Sequence, residues 1–266
     1  MHRKTGVSPR MNFSHCLAKI HQSLLPCAKY VTCSKYVMQC QMNGYPARRN
    51  TTGTCRIILV RHGESESNVG LPTKTPESIS LTHRGCYQSR ELAQRWNGNV
   101  GLVITSNYLR ARQTAEPTLS KYDLSPLIWK SVREFTYLEP SNWIGTTVKE
   151  RASAVRTYWS RCDPTYIDGE GAESFNLFSK RVLSTIHELL SLVEMEHVVV
   201  FCHEQFIKAF IWCVVSNKFR IINMEEFRDF SSVISISNCS QVQFTVSNGR
   251  SFESVTYARL GSAHNE

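Results

Sequence analysis

Little in this chain points to a membrane, a nucleotide loop or a metal centre. No stretch of its 266 residues approaches the roughly 18 consecutive apolar positions that a bilayer-spanning helix needs, so no membrane span is expected. No Walker-type glycine loop, dinucleotide glycine motif, internal repeat or long low-complexity tract occurs, which excludes the architectures built on them. Acidic residues are missing altogether from residues 1–50, which carry eight Lys or Arg, whereas the remainder carries 23 Lys or Arg against 22 Asp or Glu. The formal charge of +9 therefore belongs to the leader, and the rest of the chain is nearly neutral. A nucleic-acid partner is not expected, because charge runs of this kind are usually just solvated. Among Cys16, Cys27, Cys33 and Cys40 there is no Cys-x-x-Cys pair, so a zinc site is not expected there even with His15 and His21 nearby. The ten cysteines are scattered, several in apolar or helical runs such as those at Cys86, Cys202 and Cys213. That distribution suits buried, reduced thiols in an intracellular, cytoplasmic protein better than a secreted disulfide framework.

Residues 1–50 show no strand pattern, although Phe13, Leu17, Ile20 and Leu24 fall at helical spacing. Such a basic, partly amphipathic leader resembles an organelle-targeting presequence, which would make the location organellar. Of equal weight is a start at Met42, with the preceding residues a disordered tail or an upstream extension. Either way the leader is expected to be dispensable for folding, and the domain is expected over residues 54–260.

What is present is organised around Arg61-His62-Gly63-Glu64-Ser65-Glu66-Ser67-Asn68, which follows the apolar run Ile57-Ile58-Leu59-Val60 without a break. The run reads as a buried strand that delivers a histidine to the rim of a sheet. An imidazole attacks phosphorus only when neutral; an adjacent arginine disfavours its protonation and offers a planar fork to phosphoryl oxygens. Gly63 is expected to let the backbone turn sharply and approach a bound anion.

This octapeptide resembles the signature of the histidine phosphatase superfamily, the phosphoglycerate-mutase-like branch, and the resemblance runs from about Arg56 to about Tyr257. It implies that His62 is the nucleophile that becomes phosphorylated, with Arg61 and Asn68 binding substrate. It also implies an α/β fold, a three-layer sandwich with a mostly parallel central sheet flanked by helices, and no cofactor or metal.

The chain in order fits alternating strands and helices. Leu71 to Ser80, with two prolines and several hydroxyls, reads as a loop over the site. Leu81-Thr82-His83-Arg84-Gly85 opens a helix running to Trp96, as a similar segment does in the family, and His83 receives no chemistry. Gly101 to Thr105 is a second strand, after which Ser106 or Asn107 can cap the next helix. That helix carries Arg110-Ala111-x-x-Thr114-Ala115, whose likeness to the family pattern implies that Arg110 is the second phosphate-binding arginine. Its first-turn place at a strand's carboxyl end favours it over Arg112.

Pro126 to Val132 reads as a third strand, followed by Glu134, which the resemblance makes the general acid, with Glu139 as competitor. Lys149 to Cys162 is helical, and Glu173-Ser174-Phe175 opens a long helix that is read as scaffold, Glu173 being a lesser site candidate. His197 to Cys202 is the fourth strand, ending at His203, where the family places its second catalytic histidine. The glycine that usually follows is replaced by Glu204, a carboxylate expected to repel substrate unless it turns away toward the helix N-terminus. Ser232 to Ser237 and Gln241 to Val246 read as two closing strands.

The expected activity is hydrolysis of a phosphomonoester through a phosphohistidine on His62, with Glu134 and His203 assisting and Arg61, Asn68 and Arg110 holding the phosphoryl group. The substrate is expected to be a small phosphorylated molecule or else a phosphoprotein; oligomeric state stays open. Two alternatives are phosphoglycerate-mutase-type transfer and a retired enzyme that binds a phosphorylated ligand without turnover. Family mutases carry a longer insertion before the second histidine than lies between Glu134 and His203, which favours hydrolysis.

Overall fold

The computed structural model describes residues 53–192, 195–216, 221–247 and 251–260; the leader, with its candidate cysteines and presequence, lies outside the described residues. The apolar run forms strand β1 (Thr54–Arg61), followed by α1 (His83–Arg95), β2 (Leu102–Thr105), α2 (Leu109–Tyr122), β3 (Leu127–Ile128) and α3 (Val148–Arg161). Then come α4 (Phe175–Leu190), β4 (His197–Cys202), α5 (Glu204–Val215), α6 (Met224–Val233), β5 (Gln241–Ser247) and β6 (Ser251–Ala258). The six strands lie in the order β3-β2-β4-β1-β5-β6, with β3, β2, β4 and β1 mutually parallel and β5 and β6 joined on as antiparallel strands. No helix among the described residues is long and apolar enough to cross a membrane.

Successive side chains on a strand point to opposite faces, and both faces of this sheet are covered. Ile57, Leu59, Leu102, Ile104, Val198 and Val200 pack into a core with Phe178, Val182, Phe206 and Phe210. Ile58, Val60, Val103, Val199 and Phe201 pack on the other side with Leu92, Ala115 and Leu119. The central strands therefore lack polar alternation because neither face meets water, and the result is the expected three-layer α/β sandwich.

Two readings of the sequence are corrected. The third strand is only Leu127–Ile128; Lys130–Val132 turns into a short 3-10 helix instead of continuing to Val132. The Ser232 to Ser237 segment is not a strand: α6 runs through Val233, and the chain beyond gives its backbone groups to side chains. The Ile236 carbonyl accepts from Arg61 Nη1, and the Ser237 N–H donates to Tyr257 Oη at 3.3 Å. The closing hairpin is β5 with β6, whose register slips between Thr245 and Val246 and so blurs the two-residue alternation.

Candidate active site

Register brings the two histidines together. Arg61 pairs with Cys202 across β1 and β4, and the His62 N–H donates to the Cys202 carbonyl at 3.0 Å, so the residues after each strand are neighbours. The His62 and His203 rings lie 5.2 Å apart, centroid to centroid, at the carboxyl edge of the parallel strands, where open α/β sheets bind ligands. From the next strand over, β2, the chain continues into Ser106, whose N–H donates to the Phe201 carbonyl at 3.0 Å and whose Oγ sits 2.9 Å from His203 Nε2. Ser106 Oγ also accepts the Tyr108 N–H at 3.2 Å, so one hydroxyl anchors both the His203 ring and the start of the helix that follows β2. His203 Nδ1 is buried with no hydrogen-bond partner among the described residues.

The His62 tautomer is fixed by its neighbours. Its Nδ1 lies 2.7 Å from the Gly63 carbonyl, an acceptor only, so Nδ1 carries the proton; Nε2 accepts from Arg110 Nε at 3.2 Å. Burial, then the charges of Arg110 and Arg61, hold the His62 imidazole well below its ordinary range, and burial with Arg110 does the same for His203. Both rings are neutral near pH 7, and the His62 lone pair is on Nε2, where it accepts from Arg110 Nε.

Arg110 is buried under the loop, with Nη1 donating to the Pro76 carbonyl at 2.7 Å and its guanidinium over the Tyr108 ring; Arg112 is exposed on the far side of the helix. Tyr108 in turn packs edge-on against His203, at 5.1 Å between centroids. Asn68 lines the cavity while its Oδ1 accepts from Ser65 N–H at 3.1 Å and from Asn238 Nδ2 at 3.1 Å. Asn238 Nδ2 also donates to the His62 carbonyl at 2.9 Å.

Glu134 lines the same cavity, whereas Glu139 turns outward and accepts from the Gly171 and Ser141 N–H groups. Burial raises the Glu134 pKa, outweighing the Phe135 and Gln205 N–H donors and the charge of Arg110, with Glu204 adding to the rise. The segment that carries Glu134 is held by Glu173-Ser174-Phe175 and Arg181. Arg181 bridges Glu173 and donates through Nη1 to the carbonyls of Ser131 at 2.8 Å and Arg133 at 3.0 Å. Glu173 is thus scaffold, as expected.

One local expectation is overturned, and one alternative left open is decided. Gly63 is not a phosphate cradle: its N–H donates to Thr114 Oγ1 at 2.9 Å, and a Cβ there would meet the Gly85 carbonyl oxygen at 2.7 Å. A close backbone approach to the start of α1 demands the glycine. Glu204 does not turn away from the pocket either; it lines the cavity and pairs with Arg61 Nη2 at 3.0 Å. Ser106, read only as a possible cap, and Tyr108, Thr114 and Asn238, which received no role, all touch the central groups.

Arg61, His62, Asn68, Tyr108, Arg110, Glu134 and Glu204 line one end of a cavity of about 410 Å³, with His203 fully buried beside them. Its other end is walled by Tyr137, Trp143, Val148, Val155 and Arg151, and roofed by the loop at Thr73, Lys74 and Pro76. Arg151 Nη1 donates to Thr73 Oγ1 at 3.0 Å, and Thr73 pairs with Thr146 in an isolated bridge, so the roof is tied to the start of α3. Among the described residues no cluster of three or more His, Cys, Asp or Glu side chains could hold a metal ion.

The model of the histidine phosphatase superfamily (branch 1) matches residues 57–254. An adenosylcobalamin/α-ribazole phosphatase of Escherichia coli (strain K12) is 29% identical over 157 residues, 56% of this chain and 73% of that protein. Among solved structures, a mycobacterial glucosyl-3-phosphoglycerate phosphatase superposes with a TM-score of 0.57 at 22% identity, over 77% of this chain and 96% of that one. A phosphoserine phosphatase of Entamoeba histolytica in complex with 3-phosphoglyceric acid does so with a TM-score of 0.57 at 24% identity, over 75% and 97%. The fold is shared with those structures, and the matched region spans every element from β1 into β6. This chain belongs to the histidine phosphatase superfamily, branch 1.

Proposed function

We propose that the chain hydrolyses small phosphomonoesters in two steps through a phosphohistidine on His62. The observation that carries this reading is the tautomer of His62: the Gly63 carbonyl fixes the proton on Nδ1, and Arg110 holds the unprotonated Nε2 toward the cavity. In the first step Arg110 Nε leaves His62 Nε2 for a phosphoryl oxygen, the released lone pair attacks phosphorus as the ester P–O bond breaks, and Glu134, protonated, gives its proton to the departing alkoxide. Arg61 and Arg110 donate to the phosphoryl oxygens, where charge accumulates, with the His203 ring 5.2 Å from that of His62. In the second step the Glu134 carboxylate takes a proton from water as that water attacks phosphorus; the N–P bond breaks, inorganic phosphate leaves, and His62 recovers its lone pair.

The relatives support a small substrate, since their names describe phosphatases acting on phosphoserine, glucosyl-3-phosphoglycerate and α-ribazole phosphate. The cavity supports the same choice over a phosphoprotein, being of a volume suited to a small ligand, with an apolar far wall of Tyr137, Trp143 and Val148. Arg151 beside that wall suits an alcohol portion that carries an acceptor or anionic group.

The test is to quench the enzyme during turnover of a phosphomonoester panel and look for acid-labile, base-stable phosphate mapping to His62. His62→Ala should retain the fold by circular dichroism and lose both the label and the release of phosphate. Substantial turnover by that variant, or a label elsewhere, overturns the reading. Release of free phosphate from phosphoglycerates without a bisphosphate primer separates hydrolysis from mutase transfer.

A further inference from the structure

Glu204 opens α5 directly after His203, where a carboxylate is ordinarily explained by the free N–H groups of a helix N-terminus. Its two oxygens are engaged elsewhere. Oε2 lies 3.0 Å from Arg61 Nη2, and Oε1 lies 2.9 Å from Lys208 Nζ, one turn along the same helix. Both cations are fixed independently of it: Arg61 Nη1 donates to the Ile236 carbonyl, and the buried Lys208 donates to the Ser231 carbonyl at 3.1 Å. Arg61 Nε is buried with no partner among the described residues, so the guanidinium keeps an uncommitted donor while a carboxylate occupies part of its fork. The Glu204 side chain is 24% exposed and lines the cavity, free to shift between its two cations without leaving both.

We propose that Glu204 is a built-in counter-ion of Arg61, displaced from it when a phosphoryl dianion binds and returning to it when inorganic phosphate leaves, so that it sets how loosely the site holds its product. The inference rests on the reading above that Arg61 receives the phosphoryl group. Two arginines beside neutral histidines would hold phosphate tightly and suffer product inhibition; an internal carboxylate that must give up Arg61 lowers the apparent affinity for every phosphate dianion by the same factor. Lys208 makes the exchange feasible, because the displaced carboxylate keeps a buried cation at Oε1 and is never stranded without a partner. Glu204 is a positioning residue in this scheme, acting through Arg61.

The experiment measures binding of inorganic phosphate and of orthovanadate to the full-length chain by calorimetry, for wild type, Glu204→Gln, Lys208→Met and the double variant. Glu204→Gln should bind both ions on the order of tenfold more tightly and show correspondingly stronger product inhibition. Lys208→Met should bind them several-fold more weakly, since Glu204 then rests wholly on Arg61, and the double variant should lose most of that penalty. Opposite signs in the two single variants are not what general damage to the helix would produce. Unchanged or weaker binding in Glu204→Gln, with wild-type binding intact, overturns the counter-ion role and leaves the phosphatase reading standing. If the wild-type chain binds neither ion, the assignment of Arg61 fails first, and the counter-ion role fails with it.

Discussion

Thr114 Oγ1 accepts the Gly63 N–H at 2.9 Å while donating to the Arg110 carbonyl at 2.6 Å, so one buried hydroxyl ties the residue after His62 to the helix that carries Arg110. Thr114→Val keeps the shape and leaves the Gly63 N–H buried and unpaired. The expected loss is about 1–3 kcal/mol of stability, read by urea denaturation, together with a fall in kcat as His62 and Arg110 lose their common anchor. Thr114→Ser should restore most of both.

Ser106→Ala tests the anchoring of the His203 ring. Without the hydroxyl at 2.9 Å, the ring loses its hydrogen-bond partner and its fixed orientation beside His62. The fold should survive, with a near-native melting temperature, while kcat falls on the order of ten- to a hundredfold and KM changes less. A KM effect alone would mean that Ser106 serves binding and not His203.

These anchors explain how much of the site was legible in the chain. Arg61 ends β1 and His62 and His203 follow strands, so apolar runs marked their places, whereas Arg110, Glu134 and His203 took their roles from the resemblance, Glu134 lying beyond a 3-10 turn after β3. Thr114 and Ser106 belong to the same short segment as Arg110, yet a hydroxyl reads identically whether it caps a helix or holds a histidine. Gly63 was legible as a constrained position for the wrong reason, because the atom it must avoid, the Gly85 oxygen, belongs to a helix 22 residues on. Glu204 could not be placed because its partner Lys208 is local but Arg61 comes from another strand. The Ser232 to Ser237 misreading has the same origin: Ile234 and Ile236 alternate like a strand, but Arg61 and Tyr257 take the backbone groups that a ladder would have used.

Stability should fall in mild acid. In the unfolded chain His62 and His203 titrate near 6.5, whereas burial holds both well below that in the folded state. Below pH 6.5 the unfolded state therefore takes up protons that the folded state refuses, so the stability present above 6.5 is lost as the pH drops, by at most about 1.4 kcal/mol per pH unit for each ring. Denaturation midpoints at pH 7.5 and 5.5 measure this, and His203→Gln should remove part of the difference, since His197, also lowered by burial, contributes in the same direction.

The same two shifts, with that of Glu134, set the pH dependence of catalysis. His62 must be unprotonated, and its lowered pKa puts the acid limb below 6.5; Glu134 must be protonated in the first step, and its raised pKa puts the basic limb above 4.5. For alkyl phosphates, whose alkoxide leaves only with a proton, kcat/KM should trace a bell displaced to acid pH. A p-nitrophenyl ester releases a stable phenolate, so its first turnover should lose the basic limb and keep the acid one. Glu134→Gln separates the two roles of the carboxylate. On alkyl phosphates it should cost on the order of 10²–10⁴ in kcat, whereas on the p-nitrophenyl ester it should give a near-native burst of one phenolate per site, followed by slow turnover. The burst survives because protonation is not needed, and the slow phase follows because water now attacks the phosphohistidine without a base. Equal defects in the burst for both leaving groups would remove Glu134 from the acid role and return the question to the other groups that line the cavity.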